Sequence, residues 1–239
     1  MATNLNPRVS VVMPVYNTDT YIKQAIQSIL DQTFTDFELI IIDDASTDRS
    51  REIVKSFTDP RIIFIQNEKK GTIVSARNQA LSLARGEFIA PLDSDDIAYP
   101  DRLALQVYFL EKNKDFGIVG GGVEVINKDG VPTGVKWREI IPSEKMPIRF
   151  LFNNCFSQSA VLIRKQAIPK EGYVEYSEDY GMWIKILQSW RGVNLSHILL
   201  KYRSHEENSS HRTRPQLNNA VQNIIISQIK NLGIQPTDE

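Results

Sequence analysis

Between residues 9 and 92 the chain alternates strand-like and helix-like segments three times, and this alternation restricts its fold more than any other feature. Val9–Met13 is a short apolar run ending at Pro14, after which Tyr21, Ile22, Ala25, Ile26, Ile29 and Leu30 recur at helical spacing. Phe37–Ile42 reads as a second buried strand. The polar turn Asp43–Asp48 follows with capping residues, and then Ile53, Val54 and Phe57 form the inward side of a helix. Ile62–Ile65 is strand-like, Ile73–Ala84 is helical with Gly86 as its stop, and Phe88–Leu92 is the next strand. Repeated units of this kind predict an α/β fold of parallel strands joined by right-handed crossovers. Such sheets bind ligands beyond the carboxyl ends of their strands. Pro14–Asn17, Asp43–Asp48 and Asp93–Asp96 each follow a strand directly, so their polar groups are expected to meet at one site.

The pattern changes near residue 115, where strands shorten and Asn127-Lys-Asp-Gly130 reads as a hairpin turn before an irregular stretch, Pro132–Pro147. This half is expected to extend the same sheet, with a strand at Ala160–Arg164, a helix over Asp179–Trp190 and a last helix near Gln216–Asn231. Gly120-Gly-Gly122 precedes the strand-like Val123–Ile126 rather than a helix, so it reads as a tight bend and not a phosphate cradle. A length of 239 residues suits one large core. The expected division is a tail at 1–8, a domain at 9–210 whose halves meet near 115, and a C-terminal helix and tail at 211–239. Neither repeats nor low-complexity tracts interrupt it.

Composition removes several classes of partner. A formal net charge of −1 leaves no basic stripe for a phosphate backbone, so nucleic acid is not an expected ligand. The single cysteine, Cys155, can form neither an internal disulfide nor a zinc cluster; it reads as a packing residue in a reducing compartment. The first residues carry no basic leader or apolar stretch, which points to a cytoplasmic protein. No apolar run approaches the roughly 20 residues of a membrane-spanning helix, leaving only peripheral attachment to a membrane face open. Ile224, Ile225, Ile229 and Leu232 are expected to pack on the domain rather than on a bilayer or a partner.

Asp93-Ser-Asp-Asp96 places three carboxylates within four residues, where they repel unless a cation sits among them. All-oxygen ligands favour Mg2+ or Mn2+, ions that keep positions for water and substrate phosphates and so point to a nucleotide diphosphate. The plainer alternative is a solvated acidic turn capping the helix that begins near Pro100. Hydride transfer is disfavoured, because no G-x-G-x-x-G turn follows the first strand.

Six motifs in order, Val11-Val-Met-Pro-Val-Tyr-Asn17, Ile42-Asp-Asp-Ala-Ser-Thr-Asp48, Ala76-Arg-Asn78, Leu92-Asp-Ser-Asp-Asp96 with Pro100, Glu178-Asp179 and Tyr202-Arg-Ser-His205, resemble glycosyltransferase family 2. The likeness covers most of residues 9 to 210. It implies the GT-A fold, in which a nucleotide-sugar-binding half, here 9–115, is continuous with an acceptor-binding half, here 116–210. It also implies inverting transfer from a nucleotide-sugar, UDP above dTDP or GDP, to a glycan or lipid-linked saccharide in cell-envelope polysaccharide synthesis.

By the same resemblance, Pro14, Tyr16 and Asp44 hold the nucleoside, Tyr16 offering a stacking face and Asp44 an acceptor for the imide N–H of uracil. The plainer alternative for Tyr16 is a half-buried core aromatic, and Asp43 could cap the next helix or support Asp44. Arg77 is expected to reach the nucleotide or its diphosphate with a fork of donors, against the alternative of a surface arginine. Asp93 falls at the ribose or the metal's outer shell, Asp95 at the metal, and Asp96 in a supporting place. Asp179 is implied as the general base that accepts the acceptor hydroxyl's proton, with Glu178 beside it. Acidic residues also favour the first turn of any helix, which would explain that pair without catalysis. His205 is a candidate second metal ligand, although a lone loop histidine is more often structural.

His197 and His211 fit no motif, and Asn153–Gln158, the expected acceptor loop, has no legible chemistry. The functions competing with glycosyl transfer are a nucleotidyl or phosphoglycerol transferase on the same metal and nucleotide site, and a binding module without turnover.

Overall fold

The computed structural model describes residues 6–174, 178–206, 208, 214–231 and 233. Its first half contains β1 (Val9–Val15), α1 (Ile22–Leu30), β2 (Phe37–Asp43), α2 (Ser50–Lys55), β3 (Ile62–Gln66), α3 (Ile73–Leu83) and β4 (Phe88–Pro91). All seven residues of β1 and of β2 are buried, as a parallel sheet covered on both faces requires. The strands pair in parallel in the order β3-β2-β1-β4. β1 runs past the expected stop at Pro14 to Val15. The reason is local: β4 pairs with β1 only from Val9 to Val12, so the missing N–H of Pro14 costs no ladder bond on that side.

Gly86 follows α3 as expected, but its role is close approach rather than helix termination. A Cβ there would lie 2.5 Å from the Ser10 backbone nitrogen, and the Gly86 N–H donates to Ser10 Oγ at 2.8 Å.

The second half adds β5 (Ile97–Ala98), α4 (Arg102–Lys112), β6 (Phe116–Ile126), β7 (Pro132–Trp137), α5 (Met146–Arg149), β8 (Leu162–Arg164), α6 (Glu178–Leu187), β9 (Arg191–Arg203) and α7 (Arg214–Asn231). These strands continue the same sheet as β4-β8-β6-β9-β5, with β7 paired to β6. β8 is antiparallel to both neighbours, whereas the long β6 and β9 are parallel. The Asn127–Gly130 hairpin forms, with Gly130 at φ +85° and the Asn127 side chain accepting from the N–H groups of Asp129 and Val131.

Gly120–Gly122 is not a tight bend. The three glycines lie inside β6 at a register shift against β9, where a Cβ at Gly120, Gly121 or Gly122 would meet Asn194, Leu199 or Ile198 at 2.6 Å or less. Close strand approach, with a local irregularity, replaces the expected turn.

α7 packs on the domain. Val221, Ile224 and Ile225 lie against the core cluster that contains Phe150, Tyr180 and Trp183, and Gln228 Nε2 donates to the Phe150 carbonyl at 3.2 Å. Leu232 and His211 lie outside the described residues. No helix among the described residues is long and apolar enough to cross a membrane.

Candidate active site

The loops beyond β1, β2 and β4 converge on a cleft of about 1050 Å³. Every candidate site residue lines it: Pro14, Tyr16, Asp44, Arg77, Asp93, Asp95, Asp96, Glu178, Asp179 and His205. The first two loops are tied together, because the Asn17 N–H donates to Ser46 Oγ at 3.0 Å and the Thr47 N–H to Asn17 Oδ1 at 2.8 Å. Asn17 and Ala45 adopt φ of +51° and +62°. That conformation is strained for a residue with a Cβ and is held where surrounding contacts over-determine it.

Tyr16 is 39% exposed, so its ring faces the cleft rather than the core, and Lys70 Nζ stands 3.7 Å from the ring centroid. Asp44 is buried, and each of its carboxylate oxygens accepts from the Gly71 N–H at 3.0 Å. Asn67 Nδ2 donates to the same carboxylate at 3.3 Å. Asp43 points away: it accepts from Arg51 Nε at 2.5 Å and from the Ser46 N–H at 3.2 Å, so it ties down the loop before α2.

Arg77 is almost completely buried, which removes the surface-arginine alternative. Nη2 donates to Asp93 Oδ1 at 2.8 Å and Nη1 to Glu178 Oε1 at 2.6 Å. The two carboxylates outweigh the desolvation of the guanidinium and hold its pKa above the usual arginine range. Arg77 therefore bridges the acidic loop to α6, and its neighbour Asn78 pins Tyr173 through paired 2.8 Å bonds to the backbone.

The three aspartates of the acidic loop separate by environment. Asp96 is buried and accepts the Arg203 N–H at 3.0 Å; burial, then the charges of Asp95 and Asp93, push its pKa well above the usual carboxylate value. It is a structural member of the loop. The Asp93 N–H donates to Ser159 Oγ at 3.0 Å. Asp95 turns its Oδ2 toward His205 Nε2 at 3.0 Å and Asn208 Nδ2 at 3.3 Å.

The 3.0 Å contact between Asp95 and His205 is a direct hydrogen bond between the two side chains. The same pair can flank an ion only with the Nε2 lone pair free, since neighbouring ligands of an octahedral Mg2+ are about 3 Å apart. Among the described residues no group of three or more His, Cys, Asp or Glu side chains is arranged to enclose a metal. A cation here would be completed by water and phosphate oxygens, the usual state of Mg2+ at a nucleotide site.

Asp179 opens α6 and is half-buried in the lining of the cleft. Its Oδ1 accepts the Tyr180 N–H at 2.7 Å, and its Oδ2 accepts Asn154 Nδ2 at 2.9 Å. Desolvation, followed by the charge of Glu178, raises its pKa to about 6 despite the opposing charge of Arg77. A carboxylate so placed is ionised at neutral pH yet basic enough to take a proton.

Sequence reasoning missed several residues that organise this cleft. Asn154 lies in the loop that had no legible chemistry, yet its amide orients Asp179. Asn208 also donates to the Arg203 carbonyl and accepts the His205 N–H, fixing the histidine loop against β9. Asn67 carried a readable signal, since it directly follows β3 at the same end of the sheet. Cys155 lines the cleft wall beside Asn154 and packs against the second core cluster, and burial pushes its thiol up to about 12. His197 is exposed on β9, away from the cleft.

Residues 10–171 match Glycosyl transferase family 2. The UDP-Glc:alpha-D-GlcNAc-diphosphoundecaprenol beta-1,3-glucosyltransferase WfgD of Escherichia coli is 35% identical over 199 residues, which cover 82% of this chain and 76% of that protein. Two solved structures share the fold at lower identity. Staphylococcus aureus TarS 1-349 in complex with UDP-GlcNAc has a TM-score of 0.70 at 22% identity, covering 94% of this chain and 67% of that one. The mannosyltransferase PcManGT from Pyrobaculum calidifontis in complex with GDP-Man and Mn2+ has a TM-score of 0.71 at 18% identity, covering 98% and 67%. With its strands in GT-A order and its acidic loop at their carboxyl ends, the chain belongs to glycosyltransferase family 2 and is a glycosyltransferase.

Proposed function

We propose that the protein is an inverting transferase that moves a sugar from a UDP-sugar to a hydroxyl of a glycan or lipid-linked saccharide, with Asp179 as general base. The observation that carries this reading is the Asp179 carboxylate itself. Its pKa is raised to about 6, and it faces the same cleft as Tyr16, Asp44 and Asp95. The donor and acceptor classes also follow the description of WfgD.

In this reading Tyr16 stacks on the uracil and Asp44, held by Gly71 and Asn67, accepts its imide proton. Asp95 and His205 would hold Mn2+ or Mg2+, which neutralises charge on the departing diphosphate. Asp93 and Arg77 border that position, and the Arg77 bridge keeps the Glu178 end of α6 against the acidic loop. As the acceptor oxygen bonds to the anomeric carbon from the face opposite the nucleotide, Asp179 takes the hydroxyl proton. The bond from that carbon to the diphosphate oxygen breaks with its electron pair, releasing UDP. Asn154 and the Tyr180 N–H fix the carboxylate for this transfer.

The test is to incubate the protein with UDP-sugars, with Mn2+ or with excess chelator, and to follow UDP release and sugar transfer. Metal-dependent UDP release supports the reading. Failure to turn over any UDP-sugar while other nucleotide donors react would overturn it.

A further inference from the structure

Trp137 ends the edge strand β7, and its indole is 54% exposed although it lies on the wall of the cleft. Val123 of β6 is its cross-strand partner, and Tyr202 of β9 approaches it with ring centroids 5.6 Å apart at a 41° tilt. The pair therefore forms a broad aromatic surface carried by β7 and β9. Single exposed apolar side chains are ordinary on a protein surface. An indole presented on a cleft wall with a second ring packed against it is a different situation.

The surroundings narrow what could cover this ring. Arg138 and Glu139 follow Trp137 along the cleft lining, and both are held in place: Arg138 Nη1 donates to the Ser196 carbonyl at 2.9 Å, and Glu139 pairs with Arg149 at 2.7 Å. An occupant must then present a flat apolar face to the indole and hydroxyls at its rim to charged hydrogen-bonding groups. A pyranose ring does this, with axial C–H bonds on its faces and hydroxyls around its edge. A purely apolar chain would cover the remaining hydrogen-bonding capacity of Arg138 and Glu139 without supplying partners for it.

We propose that Trp137, supported by Tyr202, is the platform on which the acceptor saccharide stacks, with Arg138 and Glu139 at its rim. The inference rests on the reading that the acceptor is a saccharide, and it adds the binding residue. β9 carries Tyr202 three positions before His205, so the platform is joined through one strand to the Asp95–His205 pair.

Saturation-transfer NMR on the intact protein, with UDP present, tests it using methyl β-glucoside, methyl β-galactoside and methyl N-acetyl-β-glucosaminide as probes. Ring protons of at least one glycoside should receive saturation in the wild type and in Trp137→Phe. In Trp137→Ala that signal should fall by roughly tenfold while UDP signals persist. Unchanged glycoside saturation in Trp137→Ala overturns the proposal, as does a wild type that saturates UDP and none of the glycosides. The readout needs no turnover, so failure of the Asp179 assignment would show in transfer assays and not here.

Discussion

Arg77 and Glu178 lie 101 positions apart in sequence, yet their side chains meet at 2.6 Å, and the same guanidinium holds Asp93 at 2.8 Å. This one buried cation joins the loop after β4 to the first turn of α6. It thereby fixes the distance between the proposed donor site and the proposed base. A buried cation with two carboxylates is costly to break, because each partner left behind is an uncompensated charge.

Arg77→Met should destabilise the fold by about 3 kcal/mol, the low end for a buried pair because Asp93 and Glu178 keep some solvent contact. It should also shift the pH profile. The charge of Arg77 lowers the Asp179 pKa, so its loss raises that pKa and moves the acid limb of kcat/KM to higher pH. Thermal unfolding and pH–rate profiles measure both; an acid limb that stays in place would show that Arg77 does not act on Asp179.

Asp179→Asn should reduce transfer by about a hundred- to ten-thousandfold with little change in UDP affinity, since a base acts in the transition state and not on the bound donor. Glu178→Gln should do less harm. The folded pKa of about 6 lies above the usual carboxylate value, so wild-type stability from this group is present at acid pH and lost as pH rises through about 6. Asp179→Asn should accordingly be no less stable than wild type at pH 7. Near-normal transfer by a folded Asp179→Asn protein would place the base elsewhere.

In the wild type, activity should rise with pH through about 6 as Asp179 loses its proton, and this limb should vanish from the residual activity of Asp179→Asn. A pH–kcat/KM series on both proteins decides it.

UDP binding should require a divalent cation, because a diphosphate and the Asp93–Asp96 carboxylates repel each other across the cleft. Calorimetry with Mn2+, and again in excess chelator, should show the difference, and Asp95→Ala should abolish the metal's benefit. His205→Ala should weaken it less, since the carboxylate carries the charge. Equal UDP affinity in chelator and metal would remove the cation from this site.

Asp44→Ala should weaken UDP binding by about tenfold through the unpaired imide donor. CDP, which lacks that proton, should bind poorly to the wild type and lose little on substitution. Because Asp44 also receives Gly71 and Asn67, the variant should show increased amide exchange at Gly71. Equal wild-type affinities for UDP and CDP would take Asp44 out of nucleobase recognition.

The three βα units, the register of polar loops with strand ends, and the family are all legible along the chain, because each depends on short-range periodicity or on residues close together in it. Tyr16, Asp44, Asp95 and Asp179 stand at or just beyond a strand end or at a helix start, and the family resemblance singles them out. The helix at 214–231 was legible from its spacing as well.

Which charges meet depends on the folded chain. Arg77 reads locally as a helix residue with a free fork, and its two carboxylates come from segments 16 and 101 positions away. The raised pKa of Asp179 arises from burial and the charge of Glu178, opposed by Arg77 from a helix about 100 residues earlier, a balance that no motif encodes. Gly120–Gly122 looked like a bend because local rules reserve glycine for turns, whereas the close passage of β9 is what excludes a Cβ there. Trp137 carried no signal at all in its own segment. Its place on the cleft wall follows from the pairing of β7 with β6 and from the approach of Tyr202 on a strand that the chain reaches more than 50 residues later.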